Sequence, residues 1–408
     1  MIAHDSHSLS LADVTALLCA VFSLSCHQTQ AQDAAPLRVM PIGASITMGQ
    51  GVNGGYRLPL EEMLQGAGIP FEFVGRIDWN SKGMNYPNHD GYPGHRIDQI
   101  ESGATNQFNI TSQPIAEGAR DLHPDVILLG AGTNDVRQNY KLDQAPARLD
   151  HLIGTLQTAA PDAKILVSNP TSDRHFDDAV RRYNASVADL VAKRAAAGQK
   201  VSLVDNYAAV NPATEMSGDL THRDASGYRE IARTWFKALA PDAPQIGFGV
   251  TAEGANQFTG KWCLGYQLTM KRAATLTDLG IYCAGKPLAE THAVGVFDAK
   301  GALVTQTQIS PQTAPSGLFA FGKLPTRLVL EAGKTYFLVS NSVGVPTLVG
   351  ANSVVDPLHF DDPRFYFDHN VAVTTDEKDG TKLTFPGAEI HDVNGGISFF
   401  GPNFRLAP

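Results

Sequence analysis

The sequence is poor in cysteine, in basic clusters and in long apolar runs, and each shortage excludes a class of protein. Four cysteines in 408 residues are too few for a disulfide-built scaffold, whose stability comes from cross-links rather than from a core. No Lys/Arg run of the kind that tracks a phosphate backbone occurs, and 32 basic against 41 acidic residues leave a net charge of −9, which argues against a nucleic-acid partner. Past the N-terminus no apolar stretch approaches the roughly 20 residues that a membrane-spanning helix requires, so no membrane span is expected.

The one apolar segment, Leu11 to Leu24, is preceded by His4 and His7 but by no Lys or Arg, and is followed by small and polar residues from Ser25 to Gln32. With Thr29-Gln30-Ala31 as a cleavage site, residues 1–31 read as a signal peptide. The expected location is therefore secreted or periplasmic. Cys26 raises a lipoprotein anchor, against which Ser23 stands where such a site usually carries Leu. Cleavage leaves Cys263 and Cys283, 20 residues apart in neighbouring strand candidates. In an exported protein they are expected to form a disulfide, the alternative being two buried free thiols.

What is present is enough apolar residue, 43%, over a length that suits two domains of about 100–200 residues each. From Leu37 to about Ala240, short apolar runs alternate with longer amphipathic stretches, the pattern of βα units on a parallel sheet. The runs Leu37–Ile42, Phe71–Val74, Val126–Leu129, Ile165–Ser168 and Val201–Asp205 predict strands. Helices are predicted near Arg57–Ala67, Ala145–Ala159 and Asp178–Ala197, with a last one capped by Asp224 on which Tyr228, Ile231, Ala232, Trp235, Phe236 and Leu239 keep helical spacing. After Pro241-Asp242-Ala243-Pro244 the texture turns to short alternating segments: Thr275–Tyr282, Ala293–Phe297, Leu303–Ile309, Leu328–Leu330 and Thr335–Ser340. These predict an all-β sandwich. Two prolines set the boundary near residues 241–250, giving an α/β domain over 37–243 and a β-sandwich domain over 248–408.

Four stretches carry chemistry. Gly43-Ala44-Ser45 follows the first strand, at the carboxyl edge where open α/β sheets bind ligands; by itself it is only a turn. Asp219-Leu220-Thr221-His222 precedes the last helix, and a serine hydroxyl needs an imidazole to take its proton and a carboxylate to hold that imidazole in one tautomer. Without the serine, these two residues would read as a loop tied to a helix start. Gly132-Thr133-Asn134-Asp135 leaves another buried strand, and an Asn amide can donate to a developing oxyanion without ionising. Gly91-Tyr92-Pro93-Gly94 is the fourth, where Gly94 lets a backbone N–H approach the same oxygen. Asp135 is expected to fix a loop, and Arg57, Arg96 and Asp98 to support others. His89, His95 and His175, with the aromatics Trp79, Tyr86 and Tyr92, are open between packing and substrate contact. No metal-ligand pair falls on one helical face, and neither a metal nor a cofactor is assigned.

Together these stretches resemble the SGNH (GDSL-like) hydrolase superfamily, and more narrowly the family 3 carbohydrate esterases, which include acetylxylan esterases. The likeness covers roughly residues 37–240 and extends to Met40-Pro41-Ile42-Gly43, Gly55-Tyr56-Arg57, Phe73-Val74-Gly75, His95-Arg96-Ile97-Asp98-Gln99 and Pro124-Asp125-Val126-Ile127, in order. It implies a flavodoxin-like three-layer α/β/α domain with a five-stranded parallel sheet, Ser45 as nucleophile, His222 as general base and Asp219 as its orienting carboxylate. It also implies an oxyanion hole from Ser45, Gly94 and Asn134. Ala44 departs from the usual Gly-Asp-Ser, and Arg223 from the Pro that commonly follows the His. The missing Asp supports the loop and moves no proton, so its loss bears on geometry and efficiency more than on chemistry.

The expected function is hydrolysis of small acyl esters, above all acetyl, on a polysaccharide or oligosaccharide such as acetylated xylan. A lipase or thioesterase on the same scaffold is the alternative, against which the polar loops Asn80–Asn88 and Asn134–Lys141 speak. A catalytically weak carbohydrate-binding protein is the third reading. In the β domain, Phe365, Tyr366, Phe367, Phe399, Phe400 and Phe404 fit either a sandwich core or a carbohydrate-binding or attachment surface. Oligomeric state is not legible.

Overall fold

Strands with apolar residues at every position must be buried on both faces, and the first strand after the N-terminal segment, β1 (Leu37–Gly43), is buried from Val39 onward. The computed structural model describes residues 35–247, 256–258, 261–342, 347–349, 361–362, 364–375, 380–387 and 399–407. The expected signal peptide, with Cys19 and Cys26, lies outside the described residues. No described helix is long and apolar enough to cross a membrane.

β1 is joined in one parallel sheet by β2 (Phe71–Phe73), β3 (Asp90–Gly91), β4 (Val126–Gly130), β5 (Lys164–Ser168) and β6 (Val201–Val204). The order is β2-β1-β4-β5-β6, with β3 extending the β2 edge alongside the end of β1. The flavodoxin-like arrangement is therefore present, with one more strand than the five expected. A two-residue strand is invisible to an apolar-run search because Asp90 and Gly91 are not apolar; it exists because Ile42 and Gly43 still have a free edge where β2 ends.

The helices are α1 (Ser45–Met48), α2 (Arg57–Gly66), α3 (Ile97–Ser102), α4 (Ile115–Leu122), α5 (Thr133–Arg137), α6 (Ala145–Ala159), α7 (Asp177–Ala196), α8 (Asn206–Ala209) and α9 (Ala225–Leu239). Side-chain alternation along the strands sorts them into two layers. Met40, Ile42, Ile127, Leu129, Ile165 and Val167 pack on α3, α4, α6 and α7. Val39, Phe71, Phe73, Leu128 and Leu166 pack on Leu60 and Leu64 of α2 and on Ile231, Trp235 and Phe236 of α9. As expected, Asp224 caps α9, its side chain accepting from the Gly227 N–H at 2.9 Å.

Beyond α9 all strand pairs among the described residues are antiparallel. One sheet contains Trp262–Met270, His292–Asp298, Leu303–Ile309, Thr335–Asn341 and Phe365–Thr374; a second contains Gln245–Ile246, Ala274–Tyr282, Phe319–Leu330 and Pro402–Leu406. Tyr266, Leu268, Val294 and Leu338 of the first meet Leu279, Ile281, Phe319 and Phe404 of the second in a shared core. The β part reaches back to the α/β part, with which it forms one compact unit over residues 36–408. Ser316 Oγ donates to the Gln65 carbonyl at 2.6 Å, and Arg405 Nε to the Gly66 carbonyl at 2.8 Å, so the open C-terminal carbonyls of α2 find partners there.

The expected Cys263–Cys283 disulfide is not formed: both are buried free thiols. Strand alternation is the reason. Cys263 turns to the outer face of its sheet with Phe297, Phe337, Val339 and Val371, whereas Cys283 belongs to the core between the two sheets. Spacing along the chain placed them in adjacent segments but not on facing surfaces.

Candidate active site

The parallel sheet reverses direction of growth at β1, between β2 on one side and β4 on the other. That is the crevice where doubly wound sheets accept ligands. Register aligns the ends of its strands, since Gly43 pairs with both Gly91 and Gly130. Ser45 therefore lies two residues beyond the shared edge, Gly94 three and Asn134 four. Gly43 must be glycine here, because a Cβ would stand 2.4 Å from the Gly130 carbonyl oxygen.

Ser45 is the first residue of α1 and is 8% exposed. Its Oγ lies 2.8 Å from His222 Nε2, across 177 residues of sequence, and His222 Nδ1 lies 2.6 Å from Asp219 Oδ2. The loop that brings the last two together is a tight one: Met216 bridges Arg223, the Ser217 N–H donates to the His222 carbonyl, and Leu220 takes a left-handed φ of 58°. Asp219 Oδ1 accepts from Ser217 Oγ at 2.6 Å, the Thr221 N–H at 3.0 Å and the His222 N–H at 2.9 Å. Partial burial pushes the Asp219 carboxyl up, but the hydrogen bonds from His222, Ser217 and Thr221 outweigh it and hold the group well below the usual carboxylate range. An acceptor-only carboxylate fixes the proton on His222 Nδ1 and leaves Nε2 as the acceptor facing Ser45.

Two further groups converge on the same edge. The Asn106 side-chain amide donates to the Pro93 carbonyl at 2.5 Å; in a trans peptide this turns the Gly94 N–H the opposite way. Neither that N–H nor the Ser45 N–H has an acceptor among the described residues. Asn134 Nδ2 donates to the His95 carbonyl at 2.9 Å, which uses one of the two amide hydrogens and leaves the other.

Around this edge the supports are buried and polar. Arg57, fully buried, donates to the Thr47 and Met48 carbonyls of α1 at 2.9 Å each, to Ser81 Oγ at 2.8 Å and to the Pro87 carbonyl at 3.0 Å. Burial lowers it to about 10, against the opposing charge of Glu61. His89 donates through Nε2 to the Trp79 carbonyl and accepts the Gly91 N–H through Nδ1. Asp135 does fix a loop: its carboxylate accepts the Ile97 N–H at 3.0 Å and an Arg148 N–H at 2.7 Å. Arg96 is held between Asp98 and Gln138, and Tyr92 and His95 pack as buried neighbours.

Several contacts left no signal in the sequence, where Arg223 shows only as the residue that stands in place of Pro. Arg137 bonds Asp173 at 2.7 Å and the Thr221 hydroxyl, bracing the Asp219–His222 loop from α5. Arg223, at the position where Pro is usual, is buried and donates to the Ser172 carbonyl at 2.7 Å and to the Thr221 carbonyl. Asn106 sits in a loop with no motif. Only contact distances reveal these three; each is an ordinary polar residue in a polar stretch.

The sheet order, the switch-point serine and the paired imidazole and carboxylate define an SGNH-type α/β domain. Residues 42–230, a little under half of the chain, match the model of the GDSL-like lipase/acylhydrolase family. It is 29% identical over 238 residues to a multidomain esterase of Ruminococcus flavefaciens, a match covering 52% of this chain and 30% of that protein. The chain thus corresponds to less than a third of that relative's length. Among solved structures it is similar to a Clostridium thermocellum family 3 carbohydrate esterase, with 30% identity, 50% of this chain and 94% of that one covered, and a TM-score of 0.44. A family 3 carbohydrate esterase from Talaromyces cellulolyticus gives 21% identity, covers 50% and 97%, and has a TM-score of 0.42.

Proposed function

We propose that this chain is a secreted esterase that removes small acyl groups, above all acetyl, from hydroxyls of a polysaccharide or oligosaccharide such as acetylated xylan. The observation that carries the reading is the continuous relay from Ser45 Oγ through His222 to Asp219, with contacts of 2.8 and 2.6 Å. The proposed division of the chain is an export segment over residues 1–31, an esterase domain over 37–243 and a β-sandwich domain over 248–408.

In the proposed reaction Ser45 Oγ adds to the ester carbonyl while His222 Nε2 takes its proton, and the carbonyl π pair moves onto oxygen. The N–H groups of Ser45 and Gly94 and the remaining amide hydrogen of Asn134 receive that oxyanion. Collapse expels the sugar oxygen, which takes the proton from His222, and leaves Ser45 acylated. Water then adds to the acyl carbon with His222 as base; collapse releases the carboxylic acid and returns the proton to Ser45. Asp219 stays ionised throughout and stabilises the imidazolium in both halves.

The carbohydrate half of the reading is supported by motifs that resemble family 3 carbohydrate esterases and by polar loops that carry Asn80, Asn85, Asn88 and Gln138 in hydrogen bonds. The test is acetate release from acetylated xylan and from a small acetate ester. Wild type should release acetate from both, and Ser45→Ala should lose about 10⁴-fold or more on each. Covalent capture of a fluorophosphonate on Ser45 is expected in parallel. Undiminished turnover by Ser45→Ala would end the assignment.

A further inference from the structure

In the α/β part, the exposed large aromatics are Phe108, Trp79 and Phe176, at 61%, 43% and 38%. Trp79 and Phe176 lie in the loops that follow β2 and β5 at their carboxyl ends, and Phe108, in the connection between α3 and α4, reaches the same edge by packing on Gly94. A single exposed aromatic on a protein surface needs no explanation. Three confined to the edge that bears Ser45 are an arrangement, and one of them is built into place.

Phe108 is that one. Its ring lies directly against Gly94: a Cβ at that glycine would stand 2.4 and 2.5 Å from Phe108 Cδ2 and Cε2. The loop holding it is fastened by Asn106, which is 5% exposed. The Asn106 side-chain oxygen accepts the Phe108 N–H at 2.9 Å and the Ile110 N–H at 3.1 Å, while its nitrogen contacts the Pro93 carbonyl and His95 Nδ1. Thr105 and Thr111 close the base of the loop at 2.7 Å, and Asn109 takes the left-handed turn at φ 58°. An ordinary core phenylalanine would turn inward. Here the hydrogen bonds run beneath the loop and the ring faces solvent beside the glycine.

We propose that Phe108 is a sugar-stacking platform, a subsite that receives the apolar face of the pyranose carrying the scissile ester and fixes it over Gly94. This rests on the esterase reading and extends it to a substrate class: a pyranoside with a face of axial C–H bonds, such as a xylosyl unit. A flat C–H face is held on a π surface by dispersion and by the attraction of C–H hydrogens to the negative face of the ring, and the expected loss on removing the ring is about tenfold in a specificity constant. The Phe108 position discriminates sugar esters from esters of small alcohols without touching the acyl group.

The experiment compares Phe108→Ala and Phe108→Trp with wild type on acetylated xylotetraose and on a small aliphatic acetate, which has no ring to stack. The ratio of kcat/KM for the oligosaccharide to that for the small ester should fall about tenfold in Phe108→Ala, mainly through KM, and recover to within threefold in Phe108→Trp. A binding arm uses each change in a Ser45→Ala background, where acetylated xylotetraose should bind about tenfold more weakly without the ring. Equal losses on both substrates, or an unchanged ratio with unchanged binding, would overturn the platform. If no variant including wild type hydrolyses either ester, the esterase reading fails, while the binding arm still decides whether Phe108 holds sugar.

Discussion

The two parts of the molecule bury different things. At the carboxyl edge of the parallel sheet, Arg57, His89, Asp90, Asp135, Asp173 and Arg223 are all nearly inaccessible to solvent, while the interior between the two antiparallel sheets is filled by Tyr266, Leu268, Ile281, Phe319, Phe365 and Phe404. Burying charge is costly unless every bond is made, and an apolar core of the same size would be more stable. The expense is concentrated where loops must be fixed around Ser45, and it is smaller in the β part, whose buried carboxylate, imidazole and guanidinium groups among the described residues are those of Asp278, His292 and Arg364. The difference teaches where geometry, rather than stability, constrains the sequence.

The sharpest way to break the comparison is to remove a group whose only service is at the edge. Asn134→Ala is expected to reduce kcat on an acetate ester by about 10²–10³, the usual cost of one oxyanion donor, with KM and melting temperature little changed. A rate within a few-fold of wild type would take Asn134 out of the oxyanion hole and leave it as a tie to the His95 carbonyl.

Arg57 tests the buried supports. Arg57→Met keeps much of the volume and strands the Thr47, Met48 and Pro87 carbonyls without their donor, so unfolding free energy should drop by about 3 kcal/mol, with kcat falling as α1 loosens behind Ser45. Arg57→Lys should recover little, since one ammonium cannot reach acceptors that a planar fork meets on several sides. Urea denaturation and steady-state kinetics on both variants decide it. A loss below 1 kcal/mol would show that the buried guanidinium is dispensable.

His89 carries the same contrast into pH. Burial, and then the Arg57 charge, lower it to about 3 despite the bond to the Trp79 carbonyl, so it is neutral when folded. An unfolded histidine titrates near 6.5. Between those values the unfolded chain binds the extra proton; His89 therefore contributes fully above about pH 6.5, and its contribution is lost as pH falls toward 3. The slope is up to about 1.4 kcal/mol per pH unit. His89→Gln is expected to be less stable than wild type at pH 7 and to close that gap as pH drops to 4, measured by denaturant titration at each pH. A constant gap would mean that His89 takes up its proton in the folded state.

Much of this is legible in the sequence alone. The long strands and helices follow from apolar spacing, which is fixed by the periods of the backbone itself, and the meeting of Ser45, His222 and Asp219 could be anticipated because the proposed chemistry accepts few residue types in each role. What could not be read depends on closeness in space between residues of common type. Asn106, Arg137 and Asp173 look like any loop polar residue, β3 is two residues long, and Phe108 is one phenylalanine among many until its ring is found on Gly94. The late aromatics divide in the same way: Phe365 and Phe404 fill the core, and Tyr366 stays 57% exposed beneath the Lys271 ammonium.

The cysteines give the smallest expected effect and the cleanest check on the β part. A disulfide closing a loop of this length would add about 3 kcal/mol, and reduction would then lower the melting temperature by several degrees. With Cys263 on the outer face of one sheet and Cys283 in the core, no cross-link is available to lose. Burial raises both thiols above their ordinary value, so they stay protonated and react slowly while folded. Protein recovered from an oxidising compartment should therefore show no thiol reaction in buffer, two equivalents on unfolding without reductant, and the same melting temperature, within about 1 °C, with and without reductant. A reductant-dependent fall would mean that the two strands can turn their inner faces toward each other, and the apolar partition of the β part would need to be redrawn around Cys263.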